Sequence, residues 1–311
     1  MKVTSALPLI VLTSLSASLP AFAQDESLIP TFYGKVNVTT VLNEPDRGEN
    51  SGELESNASR IGLEGDYALS DSLKLIYQAE YQVNPGDSNF TNFYLTQRNT
   101  YIGLEGGFGT VIVGRNDTPS KQVQNGIDLF NDLNGDIKTL FRSEIRPNDL
   151  IQYTSPTKAG FTASYTAIID GQDNIGDRLT KSTSASVTYA HGSFLFGAAI
   201  DNDVVNVDSF RLMSRYREGN LQLGFMYESA NTGSGDESGV FVSASYKIDK
   251  LVLKAQTGTA DQKRQGGAQS TVGVDYNIDS ESRLFAFVTR TSADNRAVDN
   301  DQFGLGFEHN F

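Results

Sequence analysis

Leu73-Lys74-Leu75-Ile76-Tyr77-Gln78-Ala79-Glu80-Tyr81-Gln82-Val83 reads with a period of two. The odd positions are Leu, Leu, Tyr, Ala, Tyr and Val. The even positions are Lys, Ile, Gln, Glu and Gln, with Ile76 the one apolar member. Successive side chains of an extended chain point to opposite sides, so these two sets occupy the two faces of one strand. The pattern recurs. Leu221, Leu223, Phe225 and Tyr227 alternate with Gln222, Gly224 and Glu228; Val272, Val274, Tyr276 and Ile278 alternate with Thr271, Asp275 and Asn277.

The connections between such runs also alternate, in length. Short turns stand at Ser70-Asp71, Gly106–Gly109, Pro156–Ala159, His191-Gly192, Glu218-Gly219, Asp249-Lys250 and Asp279–Ser282. Between them lie longer polar segments at 43–56, 84–95, 116–145, 170–180, 202–208, 231–237, 261–268 and 293–301. Seven turns and eight loops join sixteen strands. We expect these near 31–42, 57–69, 72–83, 96–106, 108–115, 147–155, 160–169, 181–191, 193–201, 209–217, 220–230, 238–248, 250–260, 269–278, 281–292 and 302–311. About ten residues suffice for a tilted strand to cross a bilayer. The expected fold is all-β: a 16-stranded antiparallel transmembrane β-barrel with short periplasmic turns and long extracellular loops. A soluble sandwich also alternates, but strands this long and numerous are better served by a closed sheet without exposed edges.

Residues 1–23 stand apart. Lys2 precedes an apolar, hydroxyl-rich segment that ends in Ala21-Phe22-Ala23, a small-x-small site before Gln24. This reads as a secretory signal peptide, leaving 24–311 as one barrel domain. No later stretch approaches the ~20 apolar residues of a spanning helix, and a mean hydropathy of -0.32 is what alternating strands give. There is no cysteine, which excludes disulfides and thiol catalysis. A formal charge of -13 makes nucleic acid a poor partner. The two histidines, His191 and His309, have no Ser or Asp at a catalytic spacing and form no metal cluster. The chain therefore reads as a non-enzyme without cofactor or metal. It ends in an alternating strand, Phe303-Gly304-Leu305-Gly306-Phe307-Glu308-His309-Asn310-Phe311.

Several segments resemble the Gram-negative general porins, in order and over nearly the whole chain. They are Tyr33-Gly34-Lys35, Ser59-Arg60-Ile61-Gly62-Leu63-Glu64-Gly65, Arg98-Asn99-Thr100-Tyr101-Ile102-Gly103-Leu104-Glu105-Gly106-Gly107-Phe108-Gly109-Thr110, Gly114-Arg115, and Arg146 followed by Ile151-Gln152-Tyr153-Thr154-Ser155-Pro156. The resemblance implies an outer-membrane homotrimer among lipid and lipopolysaccharide. It also implies a third loop, here the longest at 116–145, folded into the barrel to narrow it. Family loop acids carry over to Asp128 and Asp132, with Asp136 following; family wall cations carry over to Lys35, Arg60, Arg98 and Arg146. The family's Pro-Glu-Phe-Gly loop tip is replaced by Phe130-Asn131-Asp132-Leu133-Asn134-Gly135. Phe303, Leu305, Phe307 and Phe311 resemble the carboxy-terminal signal read by the outer-membrane barrel assembly machinery.

Strand parity bears on the same cations. Lys35 shares parity with Tyr33, Asn37 and Thr39; Arg60 opposes Ile61 and Leu63; Arg98 has Asn99 and Tyr101 on the other face; Arg146 shares parity with Asn148, Gln152 and Thr154. All four are expected in the lumen, since an Arg or Lys facing lipid at mid-depth costs ~2–4 kcal/mol. Arg211, Arg215 and Arg217 also read as lumenal, extending the basic wall or pairing with loop acids. The expected function is passive diffusion of ions and small hydrophilic solutes through a water-filled channel. The competing reading is a substrate-selective channel with a saturable solute site, which would want an aromatic track along the lumen.

Overall fold

The computed structural model describes residues 29–84, 95–169, 181–231, 233, 235–294 and 299–311. The expected signal peptide and the expected loops at 84–95 and 170–180 lie almost wholly outside them.

Seventeen strands form one antiparallel sheet: β1 (Thr31–Pro45), β2 (Ser51–Ser56), β3 (Arg60–Ser70), β4 (Leu73–Gln82), β5 (Thr96–Gly106), β6 (Gly109–Arg115), β7 (Leu150–Thr154), β8 (Phe161–Ile168), β9 (Thr183–His191), β10 (Phe194–Asn202), β11 (Ser209–Glu218), β12 (Leu221–Asn231), β13 (Asp236–Ile248), β14 (Leu251–Ala260), β15 (Ala268–Asn277), β16 (Ser282–Ser292) and β17 (Asn300–Asn310). β2 and β3 are two lengths of a single stave. Both pair with β1, β2 through Val38–Asn43 and β3 through Thr31–Lys35, and they meet at a break where Ala58 has φ 51°. The staves therefore number sixteen. β17 pairs with β1 from Lys35↔Asn310 to Pro45↔Asn300, which closes the barrel and removes both edges.

Burial follows the alternation. On β12, Leu223 and Phe225 are exposed outward while Gln222, Gly224, Met226 and Glu228 are buried inward. Large apolar side chains cover the outside around the barrel, among them Phe32, Leu63, Ile102, Phe161, Phe196, Val242, Leu253 and Leu305. Short-turn ends at Gly192 and Gly219 use φ near +57° and +55°, a region that glycine enters without strain.

Three local expectations need correction. Most of the segment expected as a loop at 43–56 is strand, because β1 continues to Pro45 and β2 (Ser51–Ser56) pairs back on Val38–Asn43. The β4–β5 register shifts opposite Glu80, between the Ala79↔Thr100 and Tyr81↔Gln97 pairs. This bulge lets Arg98 face inward above it while Tyr101, below it, also turns inward against Ile76 and Ile112. Tyr101 is thus not on the face opposite Arg98, because a bulge reverses parity along one strand. Arg146 is not on a strand either; β7 begins at Leu150, after Asp149 at φ 54°.

Candidate functional site

The segment from Asn116 to Asp149 lies inside the barrel. It opens with a single helical turn, α1 (Pro119–Gln122), whose Thr118 hydroxyl accepts from the Lys121 N–H at 3.2 Å. A 3₁₀ turn at Ile137–Thr139 is capped by Asp136, which accepts from the Lys138 N–H at 2.7 Å. Between these turns the loop tracks the inner wall from β10 round to β16, and after the second it returns along β14 and β13 to β12. Its apolar side chains seat on inward glycines. Val123 lies on Gly197 of β10, Ile127 on Gly224 of β12 and Phe130 on Gly273 of β15; an added Cβ would come within 2.4, 2.7 and 2.8 Å of them. Ile127, Ile137, Leu140 and Phe141 form a buried cluster with the inward Met213, Met226 and Phe241. The packing is that of a protein core, although it stands in the lumen.

Polar anchors fix the loop's two ends. Arg211 is completely buried. Its guanidinium donates to Glu228 at 2.6 Å and to Glu144 of the loop at 2.8 Å. Glu228 also accepts from the Arg142 and Ser143 N–H groups at 3.2 and 3.3 Å. Arg211 therefore pairs with a loop acid and does not extend an open basic wall. Arg215 donates to the side-chain oxygen of Asn125 at 2.6 Å, and Arg217 to Gln222 at 2.9 Å; neither has a carboxylate within 4 Å among the described residues.

The three loop acids have different partners. Asp132 reaches away from the loop to Lys35 Nζ at 3.1 Å and Arg60 at 3.6 Å. Burial alone would raise its carboxyl, but Lys35, Arg98 and Arg60 hold it below the usual carboxylate range. Asp128 instead turns into the loop. It accepts from the Phe130 N–H at 3.0 Å, the Ile137 N–H at 3.1 Å and Gln256 Nε2 at 3.0 Å. Asp136 accepts from the Asp132 N–H at 2.9 Å besides capping the 3₁₀ turn. Asp128 and Asp136 thus satisfy donors that a tight loop would otherwise leave unpaired.

Two acids that sequence reasoning missed complete the site. Glu80 of β4 lies 3.3 Å from Arg60 and 2.7 Å from Arg98. Asp117, at the loop entry, lies 2.9 Å from Arg146 and 3.1 Å from Lys121. Glu80 had a signal, since it is the one acid on the polar face of Leu73–Val83. Across the neighbouring staves charges alternate in sign: Lys254, Asp275, Arg283, Glu308, Lys35, Asp132, Arg60, Glu80, Arg98, with every successive pair between 2.7 and 3.7 Å. The basic residues are therefore interleaved with acids in one belt, and Asp132 is the only member supplied by the loop. Beside the belt lies a polar cavity of about 530 Å³, lined among others by Arg60, Arg98, Arg146, Asp117, Asp132 and Lys138, and by no aromatic side chain among the described residues.

A closed sixteen-stave barrel with its longest described loop packed inside against one wall matches what comparison with known proteins finds. The sequence model for Gram-negative porins matches residues 9–311. This chain is a Gram-negative porin. It is 27% identical to outer membrane porin protein 32 of Delftia acidovorans over 309 residues, 89% of this chain and 87% of that protein. It is 26% identical to major outer membrane protein P.IB of Neisseria meningitidis over 282 residues, 81% of this chain and 83% of that one. Among solved structures, an anion-selective porin from Comamonas acidovorans superposes with TM-score 0.72 at 19% identity, covering 91% of this porin and 99% of that chain. Salmonella typhi OmpF superposes with TM-score 0.74 at 17% identity, covering 91% and 97%. The porin is an outer-membrane channel for passive diffusion of solutes.

Proposed function

We propose that Lys35, Arg60, Arg98 and Arg146, with Asp132, form the constriction that sets which ions and hydrophilic solutes pass. The observation that carries this reading is Asp132, a loop carboxylate lying against two wall cations while the rest of the loop packs on the far wall. A polar solute crossing there exchanges hydration for aligned charges, and an apolar one must displace ordered water. Asp128 and Asp136 shape the loop that presents Asp132. The aromatic-free lining favours non-specific diffusion over a saturable solute site. Likeness to a trimer form of OmpT of Vibrio cholerae, TM-score 0.64 at 18% identity, supports a homotrimer. In this reading residues 1–23 are removed on export, and Phe303, Leu305, Phe307 and Phe311 address the barrel to the assembly machinery. Lipopolysaccharide surrounds the finished barrel, and the chain performs no catalysis.

Asp132→Asn in a planar bilayer tests the assignment. The expected result is a zero-current potential shifted toward anions in a salt gradient. An unchanged potential overturns it.

A further inference from the structure

The inner wall carries a second set of charges below the constriction, at the short-turn end. Along β3 the inward residues after Arg60 are Gly62, Glu64 and Asp66, so Glu64 stands ~13 Å farther down the strand. Glu105 of β5 has the same inward parity as Gly103 and pairs with Lys74 of β4 across the sheet. Glu64 and Glu105 have no cation within 4 Å among the described residues, and Asp66 is joined to Lys74 at 3.2 Å. Arg217 of β11 and Lys247 of β13 lie inward, each two residues before its turn. Neither meets a carboxylate among the described residues. In stave order β3 to β5 are the second to fourth and β11 to β13 the tenth to twelfth, so the two groups face each other across a ring of sixteen.

The sign is opposite to that at the constriction. There the β1–β5 wall is basic on balance, with Lys35, Arg60 and Arg98 against the single acid Glu80, and the loop backed by β10–β16 brings Asp132 up to it. Below it the β3–β5 wall is acidic and the β11–β13 wall basic. We propose that Glu64 and Glu105 facing Arg217 and Lys247 form a second charge-sorting stage, whose transverse field runs against that of the constriction. Anions leaving or entering at the short-turn end follow the β11–β13 wall and cations the β3–β5 wall, and both cross the lumen on passing the loop. The opposition of the two fields rests on the constriction reading; the two-walled lower stage does not.

The chain has no cysteine, so single reporter thiols can be placed at will. Ser245→Cys stands beside Gln222 on the basic side, and Thr110→Cys pairs directly with Glu105 on the acidic side. Folded barrels are treated with a sulfonate methanethiosulfonate and a trimethylammonium methanethiosulfonate, each rate being divided by that reagent's rate with a free thiol. The expected anion-to-cation rate ratio is above one at Ser245→Cys and below one at Thr110→Cys, by about threefold or more each. Adding Arg217→Gln and Lys247→Gln moves the first ratio toward one, with Arg215 the cation left on that wall; adding Glu64→Gln and Glu105→Gln does the same for the second. Equal ratios at the two positions, or ratios unmoved by these changes, overturn the proposal. Asp132→Asn leaves both ratios in place, so failure of the constriction reading is told apart from failure of this one.

Discussion

Asp132 and Asp128 lie four residues apart in one loop, one against cations on a facing wall and the other against three donors of its own neighbourhood. Their substitution should separate accordingly. Asp132→Asn moves ion selectivity, whereas Asp128→Asn leaves the zero-current potential near wild type and loosens the loop. An amide there turns one acceptor into a donor facing a donor, at a cost of about 1–3 kcal/mol; faster proteolysis within 116–145 is the measure. The carboxyl of Asp132 is held low, so its pairing with Lys35 is present above the ordinary aspartate value near ~4 and is lost as pH falls through the lowered one. The selectivity difference between wild type and Asp132→Asn should therefore hold from about pH 8 to about pH 5 and vanish only below about 4. A difference already fading near neutrality would show that Asp132 is not held by those cations.

At the scale of elements, strands and loop differ in how much of them the sequence displays. Strict alternation of lipid-facing and water-facing residues made all sixteen staves legible, and Lys35 and Arg60 followed from parity. The β4–β5 bulge carries no mark in the pattern, so alternation alone puts Tyr101 on the wrong face. The loop's path was hidden for another reason. Its docking surface consists of breaks in the alternation, inward apolar Met213, Met226 and Phe241 beside inward glycines, which look like noise until a loop is seated on them. Gly224→Val tests a seat directly, since its Cβ would lie 2.4 Å from Ser243 Oγ and 2.7 Å from Ile127. Overpacking of this kind costs about 1–3 kcal/mol, and a displaced loop should raise single-channel conductance. Arg211→Met removes the buried anchor and strands Glu228 and Glu144 without their partner, at a cost of about 3–5 kcal/mol. A large drop in the loop's protection from protease is expected, with the barrel still folded.

The whole molecule turns the usual arrangement of a protein inside out, with apolar side chains outward to lipid and charges inward to water. Closure of β17 on β1 lets every stave share its hydrogen bonds with two neighbours, so the wall does not depend on the loop it encloses. Raising potassium chloride from about 0.1 to about 1 M shortens the screening length from ~10 to ~3 Å. The belt's pairs at contact persist, but their reach across the lumen does not, and the contrast between cation and anion permeability should collapse. Contrast that survived at high salt would point to size as the filter. The loop is held on one side by apolar seats and the buried Arg211 anchor, and on the other by an ionic contact through Asp132; the seats and the Asp132 contact respond to different conditions. Cooling weakens the first, because hydrophobic burial loses strength at low temperature; brine weakens the second. A bacterium in cold dilute water and one in warm salt water would thus loosen the same loop from opposite sides, and the channel carries a thermometer and a salinometer in one strip of chain.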